Sequence, residues 1–281
     1  MSNLIFFSVL LGALLHAGWN AIIKSSADKM LEIALVCSAG GLLSLLPLPF
    51  LPLPDAASWP YMLASTVVEC LYFTLVAAAY RTGDMSIVYP LMRGAAPALV
   101  AIFGTTVLGE HLSAYGYLAI LAICAGIISL LFNARSLHSE HRGAVRLALL
   151  NSTLIATYTM IDGIGVRKSG SPVAYVLCLT ALTAMPLLVW ASVRHRRSFI
   201  SYARARAGMA LAGGAATTAS YGLALFAMTN APIALVAALR ETSILFATAI
   251  STLVLREHVG WVRWVASGLI AGGAVSIRLA S

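Results

Sequence analysis

Charged residues are scarce in this chain of 281 residues: they make up 10% of it, whereas 60% of it is hydrophobic. Soluble globular domains are usually about 25% charged and about 45–50% apolar. A soluble domain surrounds its core with polar side chains, and this chain has too few of them to do so. The composition therefore excludes an ordinary soluble domain and predicts a protein that is solvated by lipid.

Signatures of catalysis and of metal binding are also absent from the sequence, which has no HExxH, no GxSxG and no P-loop. The cysteines lie singly inside apolar runs and form neither a CxxC pair nor a framework with histidine; they are Cys37, Cys70, Cys124 and Cys178. We therefore predict that the chain is not an enzyme and that it uses no cofactor and no metal.

Apolar runs fill the chain, and each is close to the roughly 20 residues that cross the hydrocarbon core. They cover 3–24, 31–51, 58–82, 86–109, 112–133, 143–167, 171–193, 205–229, 233–255 and 258–279. The first run carries Trp19, Asn20 and Lys24 and no cleavage site, so we expect a helix there rather than a signal peptide. The pattern predicts an all-α integral membrane protein of about ten transmembrane helices.

The two halves of the chain resemble each other in their rare residues. When Glu110-His111 is aligned with Glu257-His258, Arg93 falls on Arg240 at the same offset. We predict a first five-helix repeat over residues 1–133, a polar linker over 134–142 and a second five-helix repeat over 143–281. An odd number of crossings inverts the second repeat, and transporters with this plan bind substrate near the midplane between the halves.

Short motifs resemble the drug/metabolite transporter superfamily, specifically its EamA type. The fourth and ninth helices end in Leu108-Gly109-Glu110-His111 and Leu255-Arg256-Glu257-His258, of which the second departs from the family's Leu-Gly-Glu pattern at Arg256. The first helix carries His16-Ala17-Gly18-Trp19-Asn20, which is similar to openings seen in that family. The resemblance implies ten helices around a central cavity and the movement of small metabolites such as amino acids, nucleotide sugars or sugar phosphates.

Two arginines lie inside apolar runs, where an ionisable side chain costs a few kcal/mol and marks a candidate site. Arg93 and Arg240 each lie about 10 Å below a membrane surface at 1.5 Å per residue, and a guanidinium suits carboxylate or phosphate. We predict that the pair binds an anionic group. The alternative is that each arginine extends to its surface or pairs with Glu69 or Glu241. Pro90, Gly94 and Pro97 predict a break or kink beside Arg93.

Other polar side chains are placed to line the same cavity. His16 and Asn20 share a face of the first helix with Lys24, and Tyr158 and Asp162 have the same spacing on the sixth helix. The remaining candidates for the substrate site are Trp19, Tyr89 and Tyr221. Asp162 and Glu69 are candidates for proton coupling. The alternatives are hydrogen bonds that fix helix packing and tyrosine anchors at the interface.

These features predict a secondary transporter that works by alternating access on a small polar metabolite with an anionic group, such as a phosphonate, phosphate ester, carboxylate or amino acid. Its partners would be that substrate, membrane lipid, and protons or a counter-substrate, in a monomer or homodimer that binds no nucleic acid. One alternative is an exporter of cationic or aromatic compounds. The other is a lipid flippase, which needs a lateral opening to the bilayer.

Basic residues are concentrated on one side when the loops are counted alternately, and the positive-inside rule places that side in the cytoplasm. Both termini would then lie outside the inner membrane of a bacterium, whereas the family resemblance implies that they lie inside. We predict a loop over residues 194–206 that anchors on an anionic leaflet. Gly268 and Gly272 predict a close helix contact, within the chain or in a dimer, as do Ala122 and Gly126.

Overall fold

The computed structural model describes residues 1–26, 28–82, 85–133, 142–253 and 260–279, with backbone alone at 76, 77, 79–82, 85–89, 132, 133 and 142. The helices of these residues are α1 Asn3–Lys24, α2 Lys29–Leu45, α3 Trp59–Thr82, α4 Met85–Thr106, α5 Ala114–Ser129, α6 Arg142–Arg167, α7 Pro172–Arg194, α8 Arg196–Met228, α9 Ile233–Arg240, α10 Ser243–Leu253 and α11 Trp261–Leu279. The predicted linker falls largely outside the described residues, as do the second motif, Leu255 to His258, and the side chain of Tyr89.

The helices begin and end where the sequence supplies caps and turns. Asp28 accepts a hydrogen bond from the Leu31 N–H at 3.0 Å and caps α2, and Ser113 caps α5 through the Gly116 N–H at 3.2 Å. Gly170 has φ +63°, a conformation that glycine adopts without steric cost, and it turns the chain between α6 and α7. The boundaries therefore follow from local chemistry.

Seven helices of the described residues are long and apolar enough to cross a membrane. Their outward faces carry exposed large apolar side chains, among them Leu4, Val189 and Val193. Such faces are favourable in lipid and unfavourable in water, and a helix satisfies its backbone hydrogen bonds internally. The prediction of an all-α, multi-pass integral membrane protein is confirmed.

Helices pair across the two halves of the chain: α1 packs on α8, α3 on α6, α2 on α7, and α5 on α11. Helix α2 also packs on α8. Small residues allow α2 to approach α8 closely, and α5 to approach α11. A Cβ atom on Gly214 would lie 2.5 Å from the Gly40 nitrogen, and one on Gly273 would lie 2.5 Å from Ile123 Cγ1. Close backbone approach is the usual basis of helix association in lipid.

Gly268 and Gly272 make no close contact within the described chain, and their contact in a dimer stays a prediction. A Cβ atom at either position would meet nothing within 4 Å, whereas one on Gly126 would lie 3.0 Å from the Ala266 carbonyl oxygen. Gly273, one residue beyond Gly272, instead faces α5. A helix turns about 100° per residue, so one position decides whether a glycine faces a neighbouring helix or the outside.

The predicted loop over residues 194–206 is also wrong, because α8 begins at Arg196 and continues through this segment. The helix kinks at Arg206, where φ is −123° and ψ is 18°. Residues 196–206 contain no proline or glycine, and Phe199 is buried against α2 and α7. Tertiary packing on one face therefore stabilises a helix whose composition resembles a loop.

The predicted break beside Arg93 lies elsewhere. Helix α4 contains Pro90 and Pro97 and continues to Thr106, whereas the ninth run is interrupted at residues 241–242, between α9 and α10. The Ser152 hydroxyl of α6 is placed to donate to the Leu91 carbonyl at 3.0 Å or the Met92 carbonyl at 2.9 Å. Neighbouring hydroxyls of this kind allow membrane helices to tolerate proline.

Candidate functional site

Arg93 forms a bidentate ion pair with Glu241. Its Nε lies 3.0 Å from Glu241 Oε2 and its Nη2 lies 2.9 Å from Oε1. The side chains are 12% and 6% exposed, so the pair is largely removed from solvent. It joins α4 to the turn between α9 and α10 and compensates the charge of Arg93. The pairing with Glu241 that the sequence left open is confirmed.

Arg240 has a different environment. It is the last residue of α9, where a cation interacts favourably with the helix dipole. Its guanidinium carbon lies 5.0 Å from the ring centroid of Tyr221, a cation–π contact with α8. Within the part of the chain that the structure describes, no carboxylate forms a salt bridge with Arg240, although Glu69, Asp162 and Glu241 are within electrostatic range.

Three tyrosines form a row that leads to this arginine. The rings of Tyr72 and Tyr158 are 5.8 Å apart, those of Tyr158 and Tyr221 are 6.5 Å apart, and both pairs meet edge to face. The row brings α3, α6 and α8 together, and all three side chains are half-buried. The row ends at the Tyr221 ring, over which the Arg240 guanidinium lies.

Asp162 lies behind this row and is fully buried. Its Oδ1 accepts a hydrogen bond from the Tyr175 hydroxyl at 3.2 Å, and its Oδ2 accepts one from the Tyr221 hydroxyl. Asp162 thereby fixes the ring on which Arg240 rests. Tyr175, which lies in the first turn of α7, was not among the predicted residues, although a tyrosine that is buried usually requires a hydrogen-bond partner.

Glu69 of α3 completes the group of acidic residues. It is half-buried and interacts electrostatically with Asp162 and Arg240. The structure therefore brings the two candidates for proton coupling together beside one arginine.

The polar stripe of α1 faces the two arginines. His16 accepts a hydrogen bond at Nδ1 from Trp19 Nε1 at 3.3 Å, and the Asn20 amide donates to the His16 carbonyl at 2.7 Å. The three side chains are half-buried, and His16 lies within electrostatic range of Arg93 and Arg240. Of the predicted α1 stripe, His16, Trp19 and Asn20 thus lie near the site, whereas Lys24 is exposed at the helix end.

A second polar cluster lies at the membrane face where α4 ends and α9 begins. Both carboxylate oxygens of Glu110 accept from the Ile233 N–H at 3.0 Å, and Oε1 also contacts Arg167 Nη2 at 2.8 Å. Arg167 donates in turn to the carbonyls of Met228 at 2.7 Å and Ala231 at 3.0 Å. Glu110 thus caps α9, a helix of the other half.

Comparisons with known proteins agree with this architecture. Residues 142–279, which span α6 to α11, match the model of the EamA-like transporter family. A solved crystal structure of a protein is similar over 99% of this chain and 98% of its own, with a TM-score of 0.75 and 16% sequence identity. At that identity the likeness shows the fold alone. No curated protein matches the chain.

Proposed function

The chain belongs to the EamA-like transporter family through residues 142–279, and from this premise we propose that it is a secondary transporter of a small polar metabolite with an anionic group. The coarser statement, a membrane transporter, follows from the family. The finer one is carried by a single observation: Arg240 is half-buried at the centre of the polar cluster and forms no salt bridge within the described residues.

The proposed architecture is a pair of inverted five-helix repeats, in which α9 and α10 together form the ninth crossing. Its support is the pairing of the helices. Contacts of α1 with α8 correspond to contacts of α6 with α3, and α2 with α7 and α5 with α11 are self-corresponding pairs. Pairing of this kind suits alternating access, in which one repeat rocks against the other around a fixed site.

The anion would bind between Arg240 and the tyrosine row. An arginine near the membrane centre costs a few kcal/mol unless it is paired, so an anionic ligand relieves a penalty that the apo protein retains. Phosphate and carboxylate match the planar guanidinium fork. The Arg93–Glu241 pair would hold α4 against the turn at residues 241–242 and keep Arg240 in position beside it.

The proton, where transport is coupled to one, is assigned to Glu69 and Asp162. Both carboxylates lie within electrostatic range of Arg240. Arrival of an anion at Arg240 changes the charge that these carboxylates face, which couples ligand occupancy to their protonation. The orientation of the termini, and location in a bacterial inner membrane, stay predictions from the distribution of basic residues.

Export of cationic or aromatic compounds is the second candidate, and the tyrosine row is the observation that favours it. Aromatic edges and faces with a half-buried carboxylate, here Glu69, are the usual elements of a site for an organic cation. In that case Arg240 would repel the ligand, and its removal would improve binding. The two candidates therefore predict opposite effects of the same substitution.

The test is a thermal-shift titration of the purified protein with alkylphosphonates, phosphate esters, amino acids and cationic dyes. Ligands that bind the folded state raise the apparent melting temperature by mass action. We expect an anionic compound to stabilise the wild type and to lose at least tenfold in apparent affinity with Arg240→Gln. Arg146→Gln is the matched control, because Arg146 is exposed near the start of α6.

Three outcomes separate the candidates. Loss of anion binding in Arg240→Gln, with normal binding in Arg146→Gln, supports the arginine site. Stabilisation by cationic dyes that strengthens in Arg240→Gln supports the exporter of cations instead. Equal anion binding by the wild type and Arg240→Gln contradicts the proposed site, whatever the substrate. Counterflow of the identified compound in proteoliposomes then tests transport itself.

A further inference from the structure

The first part of α8 forms a separate helical arm, residues 196–205, which ends at the kink at Arg206. We call this segment the basic arm. It follows α7 directly at His195 and leads into the membrane-spanning part of α8, so it lies at a membrane face rather than within the bilayer. Residues 194–206 contain five arginines and no acidic residue.

One face of the basic arm is fixed to the protein. Phe199 is 7% exposed and packs in a cluster with Leu31 and Leu35 of α2. The carboxylate of Glu32, which is fully buried, accepts from the Tyr202 hydroxyl at 2.6 Å and from Arg206 Nε at 2.6 Å. Glu32 thus neutralises Arg206 and forms no ion pair with the other arginines of the segment that the structure describes.

The opposite face is open and basic. Arg197, Ile200, Ser201, Arg204 and Ala205 recur at helical spacing and line a surface concavity of about 540 Å³. All five residues are exposed, and Ile200 is an apolar side chain, 44% exposed, between the two arginines. The concavity thus combines two guanidinium groups with an apolar floor.

The surroundings of the arm indicate where it lies in the bilayer. Val193 is 74% exposed before the arm and Met209 is 52% exposed after it, as expected of side chains in contact with lipid. Trp190 contacts His195 with ring centroids 4.9 Å apart, and tryptophans of this kind mark the level of the headgroups. This pattern is the one expected of a segment at the depth of the lipid phosphates.

We propose that the concavity of the basic arm is a binding site for the headgroup of an anionic phospholipid, with Arg197 and Arg204 on its phosphate and Ile200 against the start of its acyl chains. Guanidinium groups pair well with phosphate. The arm is already held in place by Phe199 and Glu32, so lipid binding has little ordering entropy to overcome. Exposed Ile200 favours a lipid over free phosphate, because inorganic phosphate has no apolar part.

The test measures lipid retention and affinity on the full-length protein in neutral detergent. Phosphatidylglycerol and phosphatidylcholine with the same acyl chains are titrated, and bound lipid is counted by native mass spectrometry. Each basic residue near an anionic surface contributes about 1 kcal/mol, so Arg197→Gln/Arg204→Gln is expected to weaken phosphatidylglycerol binding by about 30-fold. Binding of phosphatidylcholine is expected to be weak and unchanged.

The control is Arg146→Gln/Lys168→Gln, which removes two exposed charges outside the arm and is expected to bind phosphatidylglycerol as the wild type does. An unchanged melting temperature in phosphatidylcholine verifies that the arm variant is folded. If that temperature is lowered, Arg197→Lys/Arg204→Lys, which keeps both charges, is tested in its place and is expected to restore it.

Three results would overturn the proposal: equal phosphatidylglycerol binding by the arm variant and the wild type, equal binding of the two lipids by the wild type, or full displacement of the lipid by glycerol phosphate at the same concentration. The last result would identify a site for soluble anions. None of these results bears on Arg240, so the proposed transport function is tested separately.

Discussion

The ion pair between Arg93 and Glu241 allows a quantitative prediction about stability. Removing one partner of a buried pair leaves an uncompensated charge and costs about 3–5 kcal/mol. The two single substitutions are not equivalent here. Arg93→Gln leaves Glu241 within electrostatic range of Arg240, which is the last residue of α9 and directly precedes the turn that contains Glu241. Glu241→Gln leaves Arg93 and Arg240 together without their shared carboxylate.

We therefore expect Arg93→Gln to lower the free energy of unfolding by about 3 kcal/mol and Glu241→Gln to lower it by about 5 kcal/mol. In the double variant both members of this ion pair are neutral, so neither leaves an unpaired charge behind. Arg240 has no ion pair with either of them, as in the wild type. The cost of the double substitution is expected to be smaller than that of Glu241→Gln alone. The interaction energy from the double-mutant cycle should then be about 3 kcal/mol or more.

Equilibrium unfolding in mixed micelles, followed by tryptophan fluorescence, measures all four corners of the cycle. Arg146→Gln is the control for loss of an exposed charge and should change stability by less than about 0.5 kcal/mol. The reasoning is refuted if either single substitution costs less than about 1 kcal/mol, or if the costs of the two substitutions add. Glu241→Gln should also bind the anion of the proposed site more tightly than the wild type.

Three further predictions follow from particular contacts. Gly273→Ala should lower the melting temperature because its Cβ would lie 2.5 Å from an Ile123 atom, whereas Gly268→Ala, which meets open space, should be neutral or gain up to about 1 kcal/mol; equal melting curves would contradict this. Glu110→Gln should cost about 1–3 kcal/mol and speed hydrogen exchange at the start of α9, because the N–H of that helix loses a charged acceptor; unchanged exchange would count against the cap. Tyr221→Phe should cost about 1 kcal/mol but retain anion binding, since the ring beneath Arg240 remains, and Tyr221→Leu should lose both; thermal shift separates the two, and equal anion binding by them would exclude a role for the ring.

The helical architecture could be predicted from the sequence because lipid leaves the backbone few choices. A chain of apolar runs near the length of a membrane crossing must form helices there. The turns were equally readable, since Gly170 and Ser113 act through local rules of φ and capping. What decided these features lies within a few residues of each position.

The basic arm could not be predicted in this way. Its residues have the composition of a polar loop. The packing of Phe199 and the contact of Arg206 with Glu32 stabilise the helix. That ion pair joins residues far apart in the chain, and no local pattern in either segment indicates the other. The prediction also missed that Gly273, rather than Gly272, faces α5. The reason is related, because the rotation of a helix about its own axis is set by the helices that pack against it.

The candidate site was predicted in its members but not in its asymmetry. Arg93 and Arg240 occupy equivalent positions in the two halves of the sequence, yet the residue after Arg240 is Glu241 and the residue after Arg93 is Gly94. The second half thus brings one carboxylate more than the first, and that carboxylate reaches across to Arg93. Within the described residues, Arg93 is in contact with a carboxylate and Arg240 is not. In a symmetric site with two carboxylates both arginines would be paired, and an anion would gain little binding energy. The difference between Gly94 and Glu241 therefore separates an arginine that holds the halves together from one that can bind a ligand.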